Sequence, residues 1–499
     1  MGESRTVKRL AEATGDLLVE IRGDDATTVT GLTSDARKVH SGDLFLCIVG
    51  TVTDGHIYAA DAVAAGAIAV CCERPTESGV PEMVVSDSRR AMGRIAAEFY
   101  NHPADALTIL GITGTNGKTT TAFLLESILA AEGHTTGLIG TIETRIAGGV
   151  RPGVRTTPDA IELQALFAEM RDAGVDAAAM EVTSHGLVLH RVEGIRFSAV
   201  GFTNLSQDHL DFHSTMEDYF EAKRSLFLPE RAERGAVNVD DPYGRQLFDS
   251  TQIPCWSFGL SPDADVRAEE IHFEPSTTSF RMKTPKGDME IVTSLVGAFN
   301  VSNCLAAAAI ALQAGVSPDA IEKGLERLHG VPGRFEVVDR GQPFTVVVDY
   351  AHTPDSLDNV LRAARGVADR QAGRVVCVFG CGGDRDRGKR PLMGAVVARL
   401  ADVAIVTSDN PRSEDPHAIL DEIVEGVIAE RVDGPDEINV DRAEAISHAV
   451  ELARPGDVVV IAGKGHETGQ EFADRTIPFD DRVVAAEALD ELGFGGSAS

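Results

Sequence analysis

Apolar runs of about six residues, rich in Val, Ile, Leu and Ala, recur along the chain and stop at a polar residue or a glycine. They occupy 107–112, 177–182, 197–203, 344–348, 374–379, 402–407 and 457–462. Stretches with helical spacing separate them, such as 120–131 and 302–328. Unbroken apolar runs alternating with helices predict buried parallel strands in α/β units. Ligands in such sheets bind beyond the carboxyl ends of the strands. The residues just past each run therefore become candidates: Thr183, Asn204, Asp349, Gly380, Asp409 and Gly463.

Residues 1–103 differ, with shorter strand candidates at 43–48, 67–71 and 83–85 and an end at Tyr100-Asn101-His102-Pro103. A second break falls near Gly333-Arg334, where a helical pattern gives way to a turn and a new strand. The expected architecture is α/β in three domains: 1–103, 104–334 and 335–499. A length of 499 residues suits about three domains.

The chain is 43% hydrophobic and 25% charged, which is ordinary for a folded protein. A net charge of −31 argues against broad binding to nucleic acid or to an anionic membrane surface. It leaves small anionic substrates open, because local Arg and backbone N–H groups can override the global sign. Seven scattered cysteines without a CxxC pair suit a reducing cytoplasm rather than a disulfide scaffold or a zinc site. No apolar run reaches the length needed to cross a bilayer. Only nine lysines accompany 37 arginines, so a lysine inside a motif stands out.

The strongest local motif is Gly111-Ile112-Thr113-Gly114-Thr115-Asn116-Gly117-Lys118-Thr119-Thr120, between a strand and a helix. Glycines let backbone N–H groups approach phosphate oxygens, and the helix N-terminus adds its dipole. Lys118 would reach the terminal phosphates, and the Thr119 hydroxyl would ligate Mg²⁺. The standard spacing asks for glycine at 112, where this chain has Ile, so the match rests on the Gly-Lys-Thr half and its context. Glu181, ending its strand, could hold Mg²⁺ across from this loop. Ser184-His185 lacks the glycine two positions before the serine that a nucleophile elbow requires, so a hydrolase is rejected. His209 and His213 lie four apart without the zincin Glu. Lys223, taken alone, reads as a helix-surface lysine.

Together, TGTNGKTT, EVTSHGL, NLSQDHLDFHSTMEDYFEAK, GAFNVSN, VPGRFE, DYAHTPDS, DNPR and GKGHE, in this order, resemble the Mur ligase family. The resemblance spans about residues 30 to 480. It implies an N-terminal domain for the uridine nucleotide, a central P-loop ATPase with a mainly parallel sheet, and a C-terminal Rossmann-like domain for the amino acid. It also implies ATP-dependent amide-bond formation through an acyl phosphate, with ATP and Mg²⁺ required, as part of peptidoglycan precursor synthesis in the cytoplasm, by a monomer.

By the same resemblance, Lys118, Glu181, His209 and Lys223 are catalytic. Thr119 and Glu181 hold one Mg²⁺, and His209 lies near a second, supported by Lys223 as its carbamate (N6-carboxylysine). Gly114 to Thr120, Asn300, Arg334 and Asp349 contact ATP. Ser34, Thr51, Thr156, Thr157, Thr183, Leu189 and Arg191 fall on positions facing UDP-MurNAc-L-Ala-D-Glu. Two of the family's usual residues are replaced: Leu189 stands where Gln is common, and Ala36 where Ser is common. Arg385, Asp409, Asn410, Pro411, Arg412, Gly463 and Glu467 fall on amino-acid-binding positions. Arg412 could grip a carboxylate with a bidentate fork, which meso-diaminopimelate offers at its far end and L-lysine does not. The motifs thus favour the diaminopimelate-adding branch. A lysine-adding ligase, a folylpolyglutamate-type ligase and a non-catalytic nucleotide-binding homologue stand as alternatives.

Overall fold

The computed structural model describes residues 5–50, 53–274 and 276–495. Three sheets follow one another along the chain, each with helices packed against it. The first has five strands in the order Leu18–Arg22, Glu82–Val85, Ala69–Cys72, Asp43–Leu46 and Gly31–Thr33. Only Leu18–Arg22 runs antiparallel to its neighbour. The inner strands are buried throughout, in keeping with their continuous apolar sequence.

The central sheet has eleven strands. Its core is parallel and places Thr108–Thr113 between Ala177–Glu181 and Ala199–Phe202. Both edges are antiparallel: Glu143–Ile146 with Gly149–Pro152 on one side, and Val266–Phe273, Thr278–Lys283 and Met289–Thr293 on the other. Lys118–Glu132, Ala298–Gln313 and Pro318–Arg327 join the apolar cluster on one face of this sheet. The helical pattern across 302–328 resolves into the last two of these helices, split by a turn at Gly315–Ser317 where Ser317 caps the second.

The third sheet is ordered Glu336–Val337, Thr345–Asp349, Val458–Ala462, Val375–Phe379, Val403–Thr407 and Glu437–Asn439. It is parallel except at the first strand. Its crossover helix Pro354–Arg370 starts with a reciprocal Thr353–Ser356 capping box and Pro354 in the first turn, the favoured way to satisfy a helix's leading N–H groups. Among the described residues no helix is long and apolar enough to cross a membrane.

Candidate functional site

Register dictates which strand ends meet. Glu181 pairs with Ile112 and Phe202 with Thr113, so the end of each flanking strand lies beside the loop that follows Thr113. Gly114 (φ 147°) and Gly117 (φ 87°) shape that loop. A Cβ on Gly114 would sit 1.9 Å from Thr203 Oγ1, which explains why only glycine fits there. Thr203 Oγ1 donates to Asn116 O (2.6 Å), and Asn116 N–H donates to Asn204 Oδ1 (2.9 Å). The neighbouring strand end thus clamps the loop from the side.

Lys118 curls over the loop and donates to Gly114 O (2.9 Å) and Thr115 O (2.8 Å). Lys223, on helix Met216–Arg224, is 1% exposed and donates to the same Gly114 O at 2.7 Å. It is therefore an interior residue, not a surface lysine. Burial, and then the Lys118 ammonium, push its pKa well below the ordinary lysine value. Burial also lowers that of Lys118, against the opposing pull of Glu181 and Asp208. Two desolvated amines around one phosphate-type loop make a place where an anion is strongly favoured.

Glu181 is 1% exposed. Its carboxylate accepts from Thr141 N–H (2.7 Å), Thr119 Oγ1 (3.0 Å) and Thr141 Oγ1 (3.1 Å). Among the described residues none forms an ion pair with it. A buried carboxylate with neutral donors, beside the Thr119 hydroxyl, is a hard-oxygen pair that suits Mg²⁺. Among the described residues no group of three or more His, Cys, Asp or Glu gathers as a metal cluster. Mg²⁺ needs none, because it keeps water and substrate phosphate oxygens as ligands.

His209 sits at φ 57° with Nε2 3.4 Å from Asp208, and His352 Nε2 approaches the same carboxylate at 3.9 Å. Burial lowers the His209 pKa, with Asp208 opposing, and lowers that of His352 to about 4. Ser184 Oγ and His213 Nε2 are 2.9 Å apart, and both residues are buried.

A cavity of about 600 Å³ opens here, with walls from both the central and C-terminal parts. Lys118, Thr119, Thr156, Glu181, Thr183 and His209 line one side; Arg334, Asp349, His352 and Asp355 line the other. Arg334 Nη2 donates to Thr119 Oγ1 (3.1 Å), and its guanidinium stacks 4.5 Å from the Tyr350 ring. Among the described residues none accepts a hydrogen bond from the buried Arg334 Nε. Asp349 accepts from Phe335 N–H (2.6 Å) and Ala351 N–H (2.7 Å), while burial raises its pKa to about 6.

Asn300 does not line this cavity. It is buried, donates to Val296 O, and accepts from Asn303 Nδ2 at 3.0 Å. Asn303, Phe299 and Ser302 form that wall instead. Thr157 is also buried and donates to Glu181 O (3.0 Å), and Arg191 donates to Thr157 O (2.9 Å) and pairs with Asp159. These residues set the shape behind the wall. Leu189 follows helix Ser184–Val188, and Ser34 is exposed after strand Gly31–Thr33. Thr51 lies outside the described residues.

The amino-acid candidates meet at the ends of Val403–Thr407 and Val458–Ala462. A Cβ on Gly463 (φ 121°) would lie 2.4 Å from Asp409 Oδ2, which shows how tightly the two loops pack. Asn410 Nδ2 donates to Glu467 Oε2 (2.8 Å). Pro411 O approaches Gly383 closely. Arg412 donates to Glu471 Oε2 and Gly383 O, both at 2.9 Å. Arg385 and Arg412 flank Gly382.

Asp208, His352, Lys464 and Arg442 received no role from the sequence, while Asn204 had a signal as the end of an apolar run and was a candidate on that ground. Arg442 had none: it sits on a helix, fully buried, pairs with Asp481, and bonds Ala462 O at 2.9 Å.

Three family models match the chain: the Mur ligase family catalytic domain at 28–100, the Mur ligase middle domain at 112–311, and the Mur ligase glutamate ligase domain at 333–465. The UDP-N-acetylmuramoyl-L-alanyl-D-glutamate–2,6-diaminopimelate ligase of Geobacillus kaustophilus is 49% identical over 472 residues, covering 93% of this chain and 96% of that protein. The ligase of the same name from Syntrophomonas wolfei is 45% identical over 488 residues, covering 96% and 99%. A solved structure titled as this ligase superposes with a TM-score of 0.69 at 32% identity, covering 98% of this chain and all of that one.

Proposed function

The chain belongs to the Mur ligase family, and from that premise we propose that it joins meso-2,6-diaminopimelate to UDP-N-acetylmuramoyl-L-alanyl-D-glutamate, using ATP and forming ADP and phosphate. The observation that carries this reading is the cavity whose walls combine the phosphate loop with Arg334, Asp349 and His352. A carboxylate is a poor acyl donor until phosphorylation gives it a leaving group. Bringing the D-glutamyl carboxylate to the γ-phosphate sets two anions against each other, so cations and N–H donors must neutralise them.

Lys118 and the loop N–H groups hold the phosphates from below, and the Arg334 guanidinium stands on the C-terminal side of the same cavity. Thr119 and Glu181 would hold Mg²⁺. Held there, Mg²⁺ would supply positive charge against the charge that develops on the phosphate oxygens. The lowered pKa of Lys223 favours its neutral amine, the form that adds CO₂ and releases a proton to give a carbamate. That carbamate, with His209, would face a second Mg²⁺. Thr156 and Thr183 present hydroxyls to the nucleotide peptide along the same wall. Walls from both sides exclude water from the acyl phosphate until the amine attacks it. Asn410, Arg412 and Glu467 receive the far end of diaminopimelate.

The test is phosphate release with ATP, Mg²⁺ and UDP-MurNAc-L-Ala-D-Glu, comparing meso-diaminopimelate with L-lysine. Release that depends on diaminopimelate is expected. Release with lysine alone would overturn the amino-acid assignment and keep the mechanism. Glutamate addition to a folate, with neither amino acid used, would replace the reading altogether.

A further inference from the structure

Lys464 is the least exposed lysine of the amino-acid region, with a side chain at 0% exposure. Its place follows from its neighbours. Gly463 and Gly465 both take positive φ (121° and 53°) and turn the chain sharply after strand Val458–Ala462. Gly465 packs so closely that a Cβ would lie 2.7 Å from Gly333 O. Between these two contacts the Lys464 side chain points inward.

Its ammonium donates to Asn410 Oδ1 (2.9 Å) and to Glu467 Oε2 (3.0 Å). Asn410 Oδ1 also accepts from Glu471 N–H at 3.0 Å, and Asn410 Nδ2 donates to Glu467 Oε2 at 2.8 Å. The backbone N–H and the ammonium can only donate, so the orientation of the Asn410 amide is determined. Glu467 Oε2 thus receives two donors. Among the described residues no donor reaches Oε1, and Glu467 remains 30% exposed. The result is a carboxylate with one occupied and one open oxygen, held at a fixed angle.

We infer that Lys464 is a positioning residue for amino-acid selection: it fixes Asn410 and Glu467 so that Glu467 Oε1 forms one oriented acceptor for the distal ammonium of the incoming diamino acid. This rests on the proposed function. The charge logic supports it. Paired with Lys464, Glu467 does not overwhelm the pocket with negative charge, so a distal group carrying both ammonium and carboxylate can be accepted beside Arg412. Without Lys464, Glu467 would keep only the Asn410 amide as a donor and its charge would be uncompensated, so it would favour any cationic tail.

The experiment compares wild type, Lys464→Met, Glu467→Gln and the double variant, by steady-state kinetics with diaminopimelate, L-lysine, ATP and the nucleotide substrate. Wild-type turnover with diaminopimelate first establishes the underlying reading; if another amino acid is the substrate, the same cycle is run with it. K464M is expected to raise KM for the amino acid at least tenfold, with kcat and KM for ATP within threefold. Its preference for diaminopimelate over lysine should fall. In the E467Q background K464M should add less than a threefold further increase, because it acts through Glu467. Equal increases for ATP and amino acid, or full additivity in the cycle, would overturn the inference and leave Lys464 a fold element. If K464M does not fold, Lys464→Gln, which keeps one donor for Asn410, is measured by the same criteria.

Discussion

Arg412 offers the sharpest quantitative test of amino-acid recognition. Guanidinium has five N–H donors, of which Nε and one on Nη1 are used, by Glu471 and Gly383. Both Nη2 donors and one on Nη1 remain, enough for a two-pronged grip on a carboxylate. Each charge-assisted bond contributes about 1.5–3 kcal/mol when desolvated. The side chain is 21% exposed, so solvent reduces the pair to about 2–4 kcal/mol in total. At about 1.4 kcal/mol per factor of ten, Arg412→Ala should raise KM for diaminopimelate by roughly 30- to 1000-fold. Arg412→Lys keeps the charge but loses the fork, and should recover only part of this. Stability is separable, because Arg412 holds φ 50°, a left-handed conformation that costs about 1 kcal/mol for a residue with a Cβ. Arg412→Gly relieves that strain, loses an ion pair worth about 0–1 kcal/mol, and adds unfolded-state entropy of about 0.5–1 kcal/mol. Its unfolding midpoint should therefore stay close to wild type while its KM rises. An equal rise in KM for ATP, or full activity in the lysine variant, would refute the reasoning.

Lys223→Ala should nearly abolish phosphate release, and added chloride should not restore it; full activity would remove the carbamate role. Asp349, raised to about 6 by burial, binds its proton more tightly in the folded state than in the unfolded one. Its contribution to stability therefore falls as pH rises from about 4 to about 6, by up to about 3 kcal/mol, and then stays low. Urea unfolding of wild type and Asp349→Asn at pH 4.5 and 7.5 should show the variant gaining relative to wild type at the higher pH. A pH-independent difference would contradict the raised pKa.

The parallel strands were legible because each is an unbroken apolar run, and Glu181, Asn204, Asp349 and Asp409 were legible because they end such runs. The antiparallel edges of the central sheet were not. Thr278–Lys283 and Met289–Thr293 alternate buried with half-buried or exposed positions, so no continuous run marks them. Lys223 illustrates the limit for the site. Its helix gives a periodic sign, since Met216, Tyr219, Phe220 and Lys223 fall on one face, but only the partner loop at Gly114 shows what holds an amine in the interior. Lys464 is hidden for a related reason: its burial depends on two glycines and on Asn410, 54 positions away. Asn300 shows the converse, since a motif position was readable although the residue stands behind the wall rather than on it.

Phosphoryl transfer and amine attack must use one acyl group, so their sites must be registered to each other. The junction at Gly333-Arg334 does this within two residues. Arg334 reaches Thr119 on the phosphate side, while a Cβ on Gly333 would meet His466 N at 2.1 Å on the amino-acid loop. His466 adjoins Glu467, so packed backbone joins the phosphate-side contact to the amine side. Across the same boundary Val296 joins the C-terminal apolar cluster and Phe299 packs edge-on against Phe335, and polar pairs such as Asn116 Nδ2 to Asp355 (2.7 Å) and Gln207 Nε2 to Asp386 (3.3 Å) add to them. Exposed pairs of this kind contribute about 1 kcal/mol or less each. The covalent junction thus holds Arg334, on the phosphate side, and the amine-side loop in one register.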